Sequence, residues 1–270
     1  MRILTPQKED FLIPTSPYYH SVGNEIELFK AAHEETVPLL LKGPTGCGKT
    51  RFVSHMAHML NLPLVTVACH EDLTASDLIG RYLIQGDETF WSDGPMSAAV
   101  RMGAILYLDE VVEARKDTIV AIHPLTDHRR MLSIDKLASV LEAPKEFMLV
   151  VSYNPGYQSL LKEMKPSTRQ RFVSLNFDYP SPEVEEEIID NETNVGADVS
   201  EKLAKLAVNI RNLKSRGLEE GVSTMLLVHT GKLISRGVPP VEACDVAFTY
   251  TLTEDIDLQR SIQQLVLDFF

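Results

Sequence analysis

The chain has 270 residues, a 44% apolar share, three cysteines and a formal net charge of −12. That length allows one large domain with a smaller one attached, and the composition is ordinary for a soluble globular protein. An acidic chain repels a nucleic-acid backbone unless it concentrates its basic residues, and only short pairs such as Arg129-Arg130 occur, so nucleic acid is not an expected partner.

The first stretch, "MRILTPQKEDFLIPTSPYYH", has no apolar signal core with a small-residue cleavage site. No apolar run reaches membrane-spanning length, so a cytoplasmic location without membrane insertion is expected. The first predicted strand, "VPLLLKG" (37–43), opens the run "LLLKGPTGCGKTRF". Gly43 to Thr50 matches G-x-x-x-x-G-K-[ST] at every defined position and lies between a buried strand and a predicted helix over 49–60. This is the chemistry of a phosphate cradle. Gly43, Pro44, Thr45, Gly46, Cys47 and Gly48 form the turn, whose backbone N–H groups face the anion, and the helix N-terminus favours its charge. Lys49 is expected to reach the β- and γ-phosphates of a nucleotide, and Thr50 to offer a hydroxyl to Mg²⁺. His55 and His58 share a face of that helix. With no acidic or cysteine ligand nearby they are expected at the surface rather than on a metal.

A second strand is predicted at "LPLVTVACH" (62–70) and a third at "GAILYLDEV" (103–111). The third ends in two acids at the strand edge where open α/β sheets bind ligands. Asp109 is expected to orient Mg²⁺ with Thr50, and Glu110 to polarise a water; by themselves the acids could equally cap the next helix, predicted over 113–126. "FMLVVSYNP" (147–155) is the fourth strand, ending at Asn154, which suits a place near a γ-phosphate or simply an Asn-Pro-Gly turn. "KPSTRQRF" (165–172) brings Arg169 and Arg171 just before the fifth strand, "RFVSLNFDY" (171–179). A guanidinium suits the spread charge of phosphoryl transfer, and surface solvation or a local ion pair competes for each one singly. Cys47, Cys69 and Cys244 lack CxxC spacing, against a disulfide framework or zinc site and in keeping with a reducing compartment.

Nearly continuous apolar strands alternating with amphipathic helices predict a doubly wound parallel five-stranded α/β sheet over residues 1–180. After "DYPSPE" (178–183) only helical periodicity follows. Leu203, Leu206, Ala207, Ile210 and Leu213 fall on one helix face, and 181–270 is expected to be a small all-helical domain.

With these elements in this order the chain resembles the MoxR group of AAA+ P-loop ATPases. Three segments are similar to its CbbQ/NirQ/NorQ/GvpN branch: "TVACHEDLTASDLIGRYLIQGDETFWSDGPMSAAVRMGAILYLDEVVEARKD", "IHPLTDHRR" and "SYNPGYQSLLKEMKPSTRQRF". The resemblance implies Walker A at Gly43, Gly48, Lys49 and Thr50, Walker B at Asp109 and Glu110, and sensor 1 at Asn154. It places the arginine finger at Arg169 or Arg171, a helix-2 insertion at 74–93, a hairpin at 129–146 before sensor 1, and a helical lid at the C-terminus. It implies an ATP-hydrolysing, protein-remodelling ring, usually a homohexamer, acting with a von Willebrand factor A domain partner resembling CbbO or NorD. The implied target is Rubisco, freed of inhibitory sugar phosphates, or alternatively nitric oxide reductase; in GvpN-like members it is the gas vesicle.

One departure is Met225, which stands where relatives commonly carry the sensor-2 arginine. It shares an apolar stripe with Val222, Leu226 and Leu233, so it is expected to pack in the lid, with Lys232 or a neighbouring subunit's arginine as a substitute contact. Tyr82-Leu83-Ile84 in the insertion is expected to face a pore or partner, the alternative being core. A nucleotide-gated assembly scaffold with little turnover is the reading from a different class, and Glu110 argues against it. A metabolic P-loop kinase lacks an evident acceptor pocket.

Overall fold

Among the described residues, ten strands run in chain order as β1 (Ile3–Leu4), β2 (Leu39–Lys42), β3 (Leu64–Ala68), β4 (Gly80–Gln85), β5 (Glu88–Asp93), β6 (Ile105–Asp109), β7 (Met131–Ile134), β8 (Ser139–Glu142), β9 (Met148–Tyr153) and β10 (Val173–Asn176). The computed structural model describes residues 3–4, 6–155 and 164–270; positions 156–163 of the run "SYNPGYQSLLKEMKPSTRQRF" therefore lie outside the described residues. The described chain forms two compact units. One comprises Met1–Gly43 and Lys49–Phe177, the other Pro44–Gly48 and Asp178–Phe270.

The first unit is built on a parallel sheet of order β10-β2-β9-β6-β3, which contains all five expected strands. Side chains alternate across a pleated strand, so a strand covered on both faces must be apolar at every position. Leu39, Leu41, Ile105, Tyr107, Met148 and Val150 pack on one face with Phe52, Val53 and Met56 of the helix Lys49–Met59. Leu40, Leu106, Leu108, Leu149 and Val151 pack on the other with Met96, Ala99 and Val100 of the helix Pro95–Met102. The same period of two puts Tyr107, Asp109 and Ser152 on the face of the helix that begins at Lys49.

Two hairpins interrupt the α/β alternation. β4 and β5 pair antiparallel within 74–93, and β1 joins β5 to complete a small sheet. β7 and β8 pair within 129–146. The Arg130 guanidinium ties the base of this second hairpin down by donating to the carbonyls of Thr36, Pro144 and Phe147 at 2.9–3.0 Å. The helix expected over 113–126 is instead Lys116–Ala121 flanked by short 3-10 turns, because Pro124 cannot donate a helical hydrogen bond. His55 and His58 are also not free surface residues. Their rings bond the carbonyls of Pro17 (3.3 Å) and Ile13 (2.7 Å), holding the N-terminal segment on the helix.

The second unit carries the helices Pro182–Thr193, Ala197–Arg211, Thr224–Ser235, Pro240–Cys244 and Ile256–Phe269. Leu203, Leu206, Ala207, Ile210 and Leu213 are all buried there, joined by Ile189, Leu227, Phe248, Ile262 and Val266. No described helix is long and apolar enough to cross a membrane.

Candidate functional site

The sheet order sets the ends of β2, β9 and β6 side by side, and these carry Gly43, Asn154 and the Asp109-Glu110 pair. A Cβ on Gly43 would come within 2.5 Å of the Phe177 carbonyl oxygen, so the chain can leave β2 here only through glycine. Lys49 is buried, and a buried ammonium must be paired. Its Nζ donates to the Gly43 carbonyl at 2.9 Å and to Asn154 Oδ1 at 2.8 Å. The same Asn154 donates through Nδ2 to Glu110 Oε1 at 2.9 Å. One amide therefore spans the gap between the cation and the exposed acid.

Beside this chain, Thr50 Oγ1 donates to Asp109 Oδ2 at 3.2 Å. The other oxygen of Asp109 accepts from Tyr107 Oη at 2.8 Å and from Ser152 Oγ. Glu110 has φ 53°, a left-handed conformation that a non-glycine residue keeps only when its surroundings hold it. Its N–H donates to Ser152 Oγ at 3.1 Å. Burial first, then Asp109 and Glu110, pushes the Cys69 thiol up to about 12, so this neighbouring cysteine stays protonated. A hydroxyl beside a carboxylate is a hard-oxygen pair of the type that holds Mg²⁺. Thr50 and Asp109 thus fit that ion, and Lys49 fits a terminal phosphate.

Pro44, Thr45, Gly46, Cys47 and Gly48 group with the helical unit. Gly46 and Gly48 have positive φ, and a Cβ on Gly46 would lie 2.6 Å from Ser223 Cβ. Met225 corrects its expected packing: it is 51% exposed and its N–H donates to the Gly46 carbonyl at 3.3 Å. Ser223 caps the helix, which buries Thr224, Leu227, Val228, Thr230 and Gly231, leaving Met225 off the buried face. Lys232 lies exposed in the last turn of that helix. Arg211, which neither composition nor spacing singled out, is a largely buried cation of this unit. It forms a bidentate pair with the fully buried Glu185 at 2.7 Å, and Thr224 donates to the same carboxylate at 2.6 Å. The Arg211 guanidinium lies 4.1 Å from the centroid of the Tyr179 ring, whose hydroxyl donates to the Thr45 carbonyl at 3.1 Å.

Arg169 is exposed at the end of the short helix Pro166–Arg169. Arg171 is half-buried, its Nε buried with no hydrogen-bond partner among the described residues. In the insertion, Tyr82 is exposed and Ile84 is 77% exposed, while Trp91 is fully buried. Tyr107 and Ser152 were missed in the sequence. The available signal was a hydroxyl among the mostly apolar residues of each strand, Tyr107 in "ILYLD" and Ser152 beside Tyr153 in "MLVVSY".

Residues 38–172 match the family model described as AAA domain (dynein-related subfamily), and residues 185–269 match CbbQ/NirQ/NorQ C-terminal. Protein CbbQ of Hydrogenophilus thermoluteolus is 53% identical over 263 residues, covering 97% of this chain and 98% of that protein. Protein NorQ of Paracoccus denitrificans is 54% identical, covering 94% of each chain. The denitrification regulatory protein NirQ of Stutzerimonas stutzeri is 53% identical, covering 95% of this chain and 94% of that one. Among solved structures, a RuvB mutant of Thermotoga maritima shares the fold with a TM-score of 0.55 at 15% identity, covering 97% of this chain and 73% of that one. A putative ATPase from Cytophaga hutchinsonii does so at 0.52 and 18% identity, covering 92% and 90%. With both family models matched in chain order and relatives above half identity over nearly the full length, this chain belongs to the CbbQ/NirQ/NorQ family of AAA+ ATPases.

Proposed function

We propose that the protein hydrolyses ATP to ADP and phosphate, with Mg²⁺, as one subunit of a homohexameric remodelling ring in the cytoplasm. Residues 1–180 act as the nucleotide-binding domain and 181–270 as its lid. The observation that carries the reading is the Lys49–Asn154–Glu110 chain beside the Thr50–Asp109 pair. Lys49 neutralises the terminal phosphates, with the backbone of Gly43–Gly48 around them. Thr50 and Asp109 hold Mg²⁺, which when bound supplies charge neutralisation. Glu110 takes a proton from the attacking water, and Asn154 orients that acid. Arg169 or Arg171 stabilises the transferred phosphoryl group of the adjacent subunit.

The ring works with a von Willebrand factor A domain protein of the CbbO or NorD type. Its target is Rubisco, cleared of inhibitory sugar phosphates. Nitric oxide reductase is the second reading, supported by NorQ and NirQ relatives as similar as CbbQ. Exposed Ile84 and Tyr82 on the β4–β5 hairpin suit contact with a target or partner.

In the test, Lys49→Ala abolishes ATP binding, whereas Glu110→Gln keeps binding and loses turnover. Equal loss of binding in both would contradict the assigned roles. A pull-down with Glu110→Gln, read by mass spectrometry, identifies the target: carboxylase subunits support the first reading and reductase subunits the second.

A further inference from the structure

Two fully buried hydroxyls at the sheet edge, those of Tyr107 and Ser152, have no role in the chemistry above. A buried hydroxyl costs free energy unless it is paired, and these two pair with the same carboxylate oxygen. Leu108 pairs with Val151 across β6 and β9, so the next residues, Asp109 and Ser152, lie side by side. Tyr107 Oη donates to Asp109 Oδ1 at 2.8 Å and Ser152 Oγ donates to the same atom. Both lone pairs of Oδ1 are then occupied, and Oδ2 is the oxygen turned to Thr50. A serine hydroxyl that donates can still accept, and Ser152 Oγ accepts the N–H of Glu110 at 3.1 Å.

We propose that Ser152 is a positioning residue for both acids at once. The proton it gives fixes the Asp109 carboxylate so that Oδ2 alone faces Thr50. The N–H it takes holds Glu110 in the left-handed conformation from which its side chain meets Asn154. Tyr107 is the second donor to Asp109 and has no contact with Glu110 of this kind. The inference rests on Thr50 and Asp109 as the Mg²⁺-holding pair and on Glu110 as the acid that polarises water.

The experiment follows binding of methylanthraniloyl-ATP while Mg²⁺ is titrated, in the wild type, Ser152→Ala, Tyr107→Phe and Lys49→Ala. Hydrogen bonds to charged groups are strong enough that losing one should raise the Mg²⁺ half-saturation of Ser152→Ala about tenfold. Nucleotide binding in EDTA should stay within about twofold of wild type, since no phosphate contact is removed. Tyr107→Phe should show a rise of about three- to tenfold. The two variants should separate at saturating Mg²⁺ and ATP. Tyr107→Phe regains wild-type turnover, while Ser152→Ala stays reduced about fivefold because Glu110 has lost its anchor.

An unshifted Mg²⁺ half-saturation in Ser152→Ala overturns the inference, and equal turnover of the two variants at saturation overturns its Glu110 half. If Ser152→Ala fails to fold by circular dichroism, Tyr107→Phe decides: a shift supports the hydroxyl anchoring of Asp109 and no shift refutes it. Normal binding by Lys49→Ala, or Mg²⁺-independent binding by the wild type, instead brings down the nucleotide reading and the inference with it.

Discussion

Asn154→Asp tests the centre of the site with a change of one atom in kind. The amide nitrogen that donates to Glu110 Oε1 at 2.9 Å becomes a second carboxylate oxygen. A hydrogen bond to a charged group is lost, about 1.5–3 kcal/mol. Two like charges then face each other at contact distance, adding about 1 kcal/mol where water screens them. Glu110 is exposed and can swing away, which recovers part of that repulsion but takes the acid out of position. The expected deficit in the chemical step is about 2–4 kcal/mol, a fall in turnover of about 30- to 1,000-fold. Lys49 keeps an oxygen partner, because the atom it meets at 2.8 Å is Oδ1 in either side chain. Nucleotide affinity should therefore change by less than about tenfold, as binding contacts survive while the catalytic one does not. Phosphate release at saturating ATP, with affinity measured in parallel, separates the two effects. Turnover within threefold of wild type would show that Asn154 does not orient Glu110.

Arg211→Met leaves the Glu185 carboxylate buried with Thr224 as its remaining side-chain donor among the described residues. It should cost about 3–5 kcal/mol, and adding Glu185→Met should recover most of it, because the lone buried charge is then gone. Chemical denaturation followed by far-ultraviolet circular dichroism measures both; a loss under about 1 kcal/mol in the single variant would refute the argument. Arg130→Ala removes three carbonyl contacts at the base of the β7–β8 hairpin and should lower stability by about 2–3 kcal/mol. Arg130→Lys should recover less than half, since a single ammonium cannot span the carbonyls that the planar fork reaches; full recovery in the denaturation midpoint would argue against this geometry.

The inner strands β2, β6 and β9 were legible because each is covered on both faces and so is apolar at almost every position, while the edge strands β3 and β10 are buried and apolar only in part. The phosphate loop was legible for a related reason. Its glycines, Lys49 and Thr50 are contiguous, and their chemistry needs no partner from elsewhere to be recognised. Asp109, Glu110 and Asn154 showed themselves as polar residues at the ends of apolar runs. Periodicity, however, reports how deeply each residue is buried and says nothing of which remote residue it meets. Arg129 and Arg130 are adjacent and read alike. Yet exposed Arg129 pairs with half-buried Asp127 two residues away, while Arg130 binds carbonyls as far away as Thr36. Met225 fitted an apolar stripe at helical spacing, but its helix packs through Thr224, Leu227, Val228 and Gly231 and leaves Met225 exposed. Ser152 stands 43 residues from Asp109, and only the strand order that sets β9 beside β6 brings its hydroxyl to that carboxylate. Local chemistry and burial are properties of a stretch of chain, whereas the hydrogen bonds that aim the acids depend on which strands become neighbours, and that choice is made by the packing of the whole sheet.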